Sequence, residues 1–297
     1  MAVAAITNPL AGLDGGELEA VARVAERLLA GRPLYDSGPR PVRARAGAGL
    51  EFLDFRDYTA GDDPRAIDWR ATARSRRLQV RRHHQEAAAD WMLCIDRSAS
   101  MIVADARKWT LAAELGAALA FVLLALGNRV GLTLFSERID AVCPPGRGQR
   151  HYASMTQTLV RHAPAARGGA SALEACAPAL RRGTSVIVIG DFLAADAMRS
   201  GLERLRRRAG PMHALRITSS ADVGVPAGPA TLVDAESGAS VTVTVDPAAA
   251  GAAWATHAGH VATACAELDV ALTSPSVAQG WKAAVLAHLL AVGGRRA

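Results

Sequence analysis

Aromatic residues are scarce in this chain. Phe, Trp and Tyr make up 4% of 297 residues, although half the residues are hydrophobic. Ala, Val and Leu must therefore fill most of the core. Only four cysteines occur, Cys94, Cys143, Cys176 and Cys265. No two form a Cys-x-x-Cys pair, which argues against a zinc site and a disulfide framework. Cys94 lies in an apolar run and reads as a small buried hydrophobe. A Gly-x-x-x-x-Gly-Lys-Ser/Thr loop is missing, so the chain is not itself a P-loop ATPase. The Gly-x-Ser-x-Gly elbow of a hydrolase is also missing. The apolar start, Ala2 to Ile6, has no basic flank and is soon followed by Asp14, Glu17 and Glu19, which is not a signal peptide pattern. The longest apolar stretch, Leu115 to Leu126, is too short to cross a bilayer. These absences lead to the expectation of a reduced, cytoplasmic protein without a membrane span.

The formal charge of +6 is concentrated. Between Arg32 and Arg82 stand 12 arginines against 7 acids. Acids interleaved with arginines point to internal ion pairs rather than to nucleic-acid binding, which is the disfavoured reading of this segment.

Along the chain, Asp14 to Ala30 has a helical period, with Leu18, Val21, Ala25 and Leu28 on one face. Asp14 and Glu17 have capping-box spacing. Residues 31–49 are rich in Pro and Gly and read as an arm or loop. From Gly49 to Ala73 neither period fits, and short strands and tight turns are expected, with Gly61-Asp62-Asp63-Pro64 as one turn. Asp62, Asp63 and Asp68 then accept backbone N–H bonds, and Trp69 is expected as an anchor. After Asp90, strands alternate with helices. Strands are expected at 90–95, 129–135, 139–143, 184–190, 212–218 and 269–273. Helices are expected at 107–126, 152–162, 171–181, 195–208, 251–268 and 276–291, and a hairpin at 230–245. That alternation predicts an α/β fold, with a mainly parallel sheet covered on both faces. In such a sheet, ligands sit beyond the carboxyl ends of the strands.

Asp96 follows directly on the apolar strand Met92-Leu93-Cys94-Ile95 and so falls at that edge. In Asp96-Arg97-Ser98-Ala99-Ser100 one carboxylate and two hydroxyls can face a common point. These are hard oxygen ligands of the kind Mg²⁺ or Mn²⁺ takes. The competing reading is that Asp96 and Ser98 only cap the following segment. A second buried strand ends in Gly190-Asp191 and brings another carboxylate to the same edge.

Asp96 to Met101 resembles the metal-ion-dependent adhesion site of von Willebrand factor A domains. Gly47-Ala48-Gly49-Leu50-Glu51-Phe52, Arg56-Asp57-Tyr58, Gly61 to Trp69 and Ala73-Arg74 resemble the signature of the bacterial DUF fifty-eight family. The resemblance is tight from Arg40 to Met101 and looser beyond, through Gly190-Asp191-Phe192 and the late hairpin. It implies a von Willebrand A-like domain over 86–297, with the hairpin near 230–245, preceded by a family-specific N-terminal segment, 1–85, that is β-rich. It also implies a metal set of Asp96, Ser98, Ser100 and Asp191, the last often acting through water. The family's second loop usually reads Gly-Gly-Thr, but this chain has Gly168-Gly169-Ala170-Ser171. Ala170 has no ligand atom, and Ser171 supplies a hydroxyl only if the loop shifts by one residue.

The function so implied is a non-enzymatic protein-binding module that uses Mg²⁺ or Mn²⁺. Its expected partners are a MoxR-type AAA+ ATPase and a client protein, with the chain as adaptor or co-chaperone. Two alternatives stay open: a Mg²⁺-dependent hydrolase or phosphotransferase using Asp96 and Asp191, and a nucleic-acid binder using the arginine-rich segment.

Overall fold

The computed structural model describes residues 8–29, 51–59, 67–75, 77–84, 89–164, 171–224, 226–234 and 238–293. The arm expected over 31–49 and the turn at Gly61–Pro64 lie outside them. The chain divides into a large unit, 1–37 with 89–297, and a small unit, 38–88.

In the large unit, α1 (Gly15–Leu28) is capped by Asp14, whose Oδ1 accepts the Glu17 N–H at 3.0 Å. The Glu17 side chain does not turn back to the cap. It takes Lys282 Nζ at 2.8 Å. Leu18, Val21, Ala22 and Ala25 are buried, and aliphatic side chains the size of Leu18 and Val21 contribute roughly 1.5–3 kcal/mol each on leaving water.

The small unit contains β1 (Glu51–Asp57), α2 (Trp69–Ser75) and β2 (Gln79–His84), with β1 and β2 antiparallel. The helix α2 corrects the expectation of strands and turns alone. Seven residues are too few to show a helical period, but the Asp68 carboxylate starts the helix by accepting the N–H groups of Arg70 and Ala71 at 2.8 and 2.9 Å. Trp69 stands in the first turn of α2 with 68% of its surface exposed.

The large unit continues with β3 (Asp90–Asp96), α3 (Ser100–Val103), α4 (Arg107–Ala125), β4 (Arg129–Phe135), β5 (Ile139–Gly146) and α5 (Gln149–Arg161). A 3₁₀ segment, Leu173–Ala179, follows where an α-helix was expected. Pro178 lies inside it and has no N–H for an α-helical bond. Then come β6 (Ser185–Gly190), α6 (Ala195–Arg206), β7 (Met212–Arg216), β8 (Gly228–Val233), β9 (Ser240–Val245), α7 (Pro247–Glu267), β10 (Val270–Thr273) and α8 (Gly280–Gly293).

Six strands form one sheet in the order β10-β7-β6-β3-β4-β5. All neighbours are parallel except β5, which runs antiparallel to β4 at the edge. The pair β8–β9 is a separate hairpin. Helices cover both faces of the sheet, and alternate residues feed two cores. Leu93, Ile95, Leu132, Leu134, Ile187 and Ile189 pack with α1, α4 and α8. Met92, Cys94, Val186, Val188, Met212 and Ala214 pack with the 3₁₀ segment, α6 and α7. Burial on both faces explains why these strands read as unbroken apolar runs. The helix α4 is long and apolar enough in composition to cross a membrane, but 78% of it is buried inside this fold. All four cysteines are free and buried.

Candidate functional site

The site is built where β3 and β6 end side by side. Asp96 closes β3, and its Oδ1 accepts the Ser98 N–H at 2.7 Å. That bond bends the chain off the sheet in an Asx-type turn. Ser98 Oγ and Ser100 Oγ then stand 3.0 Å apart. The intervening Arg97 turns elsewhere. Its guanidinium pairs with Asp140 at 2.8 Å and donates to the carbonyls of His162 and Ala163. Arg97 therefore clamps the loop and leaves the hydroxyls to Asp96.

Ser171 donates its hydroxyl to Asp96 Oδ2 at 2.6 Å. The next residue is fixed to the body, because the Ala172 N–H donates to the Ser136 carbonyl at 2.9 Å. The structure thus brings the Ser171 hydroxyl onto Asp96. Gly168, Gly169 and Ala170 lie outside the described residues. Asp191 follows β6 and is buried. Gly190, just before it, faces Asp96: a Cβ there would stand 2.9 Å from the Asp96 Cβ. Only glycine lets the two strand ends approach so closely. Phe192 has φ +53°, a left-handed conformation that costs a non-glycine residue energy and is concentrated at functional loops.

All five expected site residues, Asp96, Ser98, Ser100, Ser171 and Asp191, therefore lie at one carboxyl edge. Among the described residues, no three His, Cys, Asp or Glu side chains are grouped as a metal cage. Two carboxylates and three hydroxyls make the set.

Sequence reasoning missed the cation already present. Lys108, in the first turn of α4, is fully buried, and its Nζ bonds Asp191 Oδ2 at 2.9 Å and Asp222 Oδ1 at 3.0 Å. Asp222 sits in a 3₁₀ turn, where its Oδ2 accepts the Ser219 N–H at 2.8 Å. Ser219 Oγ in turn donates to Asp105 at 2.5 Å. The available signal was a single lysine in the first turn of a long, mostly apolar helix. Its partners lie 83 and 114 residues away in sequence.

Charge is therefore compensated unevenly. Burial, and then repulsion from Asp191, push the Asp96 carboxyl up to about 7, against the hydrogen bonds from Ser171 and Ser98. Burial opposes the Lys108 ammonium, but Asp191 and Asp222 outweigh it and raise its pKa above the usual lysine value.

Fold and site together define an α/β domain with an oxygen-rich, acidic pocket at the carboxyl edge of a parallel sheet. The family model described as "Protein of unknown function DUF58" matches residues 54–262, and the chain belongs to that family. It is 32% identical over 209 residues to the uncharacterized protein Mb1516 of Mycobacterium bovis and to the uncharacterized protein Rv1480 of Mycobacterium tuberculosis. Those matches cover 68% of this chain and 66% of each relative, so the chain spans slightly less than two thirds of the relatives' length.

Proposed function

We propose that the large unit is a von Willebrand A-like domain that binds a protein partner through a divalent cation held at Asp96. The observation that carries this reading is the 2.6 Å bond from Ser171 to Asp96, beside the Ser98–Ser100 hydroxyl pair. It gathers residues from two distant loops around one buried carboxylate. The donor set fits Mg²⁺ or Mn²⁺, since every candidate ligand is a hard oxygen. Among the described residues Asp96 has no ion pair, and it carries the cost of burial, which a divalent ion would offset. Asp96, Ser98, Ser100 and Ser171 would hold the ion directly. Asp191, already paired with Lys108, would act as an outer acid through water.

Bound there, the ion would supply one open coordination position for a carboxylate oxygen from a partner. The chain's own residues do the rest. Arg97 fixes the loop, Gly190 lets the strand ends meet, and Ser171 orients Asp96. The role is non-enzymatic in this reading, in which Ser98, Ser100 and Ser171 serve as oxygen ligands around Asp96. The proposed partners, a MoxR-type AAA+ ATPase and a client protein, rest on the family resemblance alone.

Calorimetric titration with Mg²⁺ and Mn²⁺ tests the metal. The parent should bind at millimolar concentration or tighter, and Asp96→Ala should not. Capture of a purified MoxR-type ATPase should be lost with EDTA and with Asp96→Ala. Equal metal binding by parent and variant would overturn the reading.

A further inference from the structure

A second unexplained group stands at the same sheet edge. Arg216 ends β7 in register with Gly190, one strand further along the row that begins with Asp96. Its residue surface is 6% exposed, and its Nε and Nη1 are buried without any hydrogen-bond partner. The guanidinium lies over the ring of Trp254, 5.4 Å from its centroid. Such stacking holds the plane of the group in place but satisfies none of its N–H donors. His257 lies three residues beyond Trp254, on the same face of α7. Its Nε2 is also buried and unpartnered, and its ring hydrogen-bonds the Phe192 backbone. Three donor or acceptor atoms are therefore buried without partners around one cationic plane. Buried guanidinium N–H groups are costly unless something accepts from them.

The charge count selects the ligand. Lys108 is matched by Asp191 and Asp222. Arg216 lies near Asp222 but has no ion pair with it. Burial and the Arg216 charge disfavour the protonated form of His257. Lys108 and Arg216 together balance the two acids, so the niche suits a ligand of low charge better than a dianion, and that ligand must offer oxygens to the unpartnered Arg216 N–H groups. A planar carboxylate also matches the fork of a guanidinium.

The cover over this niche is the least anchored part of the large helix. In α7 the buried residues are Val261, Ala264 and Cys265, and none lies in the first two thirds, Pro247–His260. Few buried apolar contacts hold that stretch, so it opens at low cost. Trp254 and His257 both belong to it.

We propose that Arg216, His257 and the face of Trp254 form a carboxylate-binding site beneath the N-terminal part of α7, distinct from the Asp96 site. The bound group is a free small carboxylate or a carboxylate on a peptide.

The test uses the full chain at constant ionic strength with EDTA present. Acetate, a short peptide containing one glutamate with blocked termini, and inorganic phosphate are titrated separately. Tryptophan fluorescence and the melting temperature are followed. Saturable binding of acetate, the peptide, or both is expected. Acetate alone would assign the niche to a free small acid, and peptide binding would assign it to a protein-borne carboxylate. Arg216→Gln should weaken that binding at least about tenfold, in line with loss of a charge-assisted pair, and should melt no lower than the parent without ligand, because it removes unsatisfied buried donors. Asp96→Ala should bind as the parent does, which separates this site from the cation site. Phosphate binding without carboxylate binding would overturn the proposal. So would no saturable binding by the folded parent, or undiminished binding by Arg216→Gln.

Discussion

The ends of β3 and β6 carry the same residue in nearly the same place. Asp96 is 1% exposed and Asp191 is 2% exposed. Asp191 has an ammonium at 2.9 Å, whereas the side-chain contact of Asp96 is a hydroxyl at 2.6 Å. A hydroxyl orients a carboxylate, but it does not neutralise one. Two equally buried acids thus take different roles. Asp191 is neutralised within the fold by Lys108, and Asp96 has no such counter-charge among the described residues.

The comparison can be broken most severely at Lys108. Lys108→Met should destabilise the protein by about 3–5 kcal/mol, the usual result of stranding buried charges. The loss should appear in urea unfolding at pH 8. A loss below about 1 kcal/mol at pH 8 would show that Lys108 is not the counter-ion that Asp191 requires.

Asp96→Asn should act in the opposite direction. With EDTA present, the folded protein holds the Asp96 proton up to about pH 7, whereas the unfolded chain releases it near 3.8. Between those values the folded state binds more protons, so stability falls as pH rises and is lowest above pH 7. Asparagine removes that penalty. The variant should gain about 1–3 kcal/mol at pH 8 and nothing near pH 4, while losing its response to Mg²⁺. Equal stability of parent and variant across this range would contradict the assignment of an uncompensated charge to Asp96.

Gly190→Ala sharpens the comparison by forcing the two strand ends apart. The added methyl meets the Asp96 Cβ at 2.9 Å, and overpacking of this kind costs about 1–3 kcal/mol. Thermal melts should show that loss together with weaker Mn²⁺ binding. Ser171→Ala is the mildest change. It deletes one hydrogen bond, worth about 1 kcal/mol, and should weaken Mg²⁺ binding while leaving the fold intact by circular dichroism. Mg²⁺ affinity equal to the parent would remove Ser171 from the ligand set.

Asp96, Ser98, Ser100 and Asp191 could be placed at the sheet edge because their signals are local, whereas Ser171 came only from the family resemblance. An apolar strand followed by Asp-x-Ser-x-Ser, or by Gly-Asp, places the carboxylate at a sheet edge whatever the rest of the chain does. Lys108, Asp222 and Arg216 were not legible. Their meaning depends on pairings between residues far apart in sequence, and a lysine or arginine at the rim of an apolar segment reads as a solvated end. Most strands and long helices were readable from period and length. The short α2 was not, since it rests on one cap at Asp68 rather than on an amphipathic face. The 3₁₀ segment 173–179 was misread because Pro178 overrides helical spacing. Sequence also did not reveal where α1 would pack: an amphipathic stripe says that a helix is covered, not by which core.

The packing of α1 has a further consequence. Trp281 of α8 donates its ring N–H to the Gly12 carbonyl at 3.2 Å, and Lys282 holds Glu17. The beginning and the last helix of the large unit are therefore joined, and the small unit is an insertion with both of its ends tied to one body. The large unit resumes at residue 89 and runs directly into β3, which begins at Asp90 and ends six residues later at Asp96. The candidate Asp96 loop is thus built on the first strand that follows the small unit in sequence.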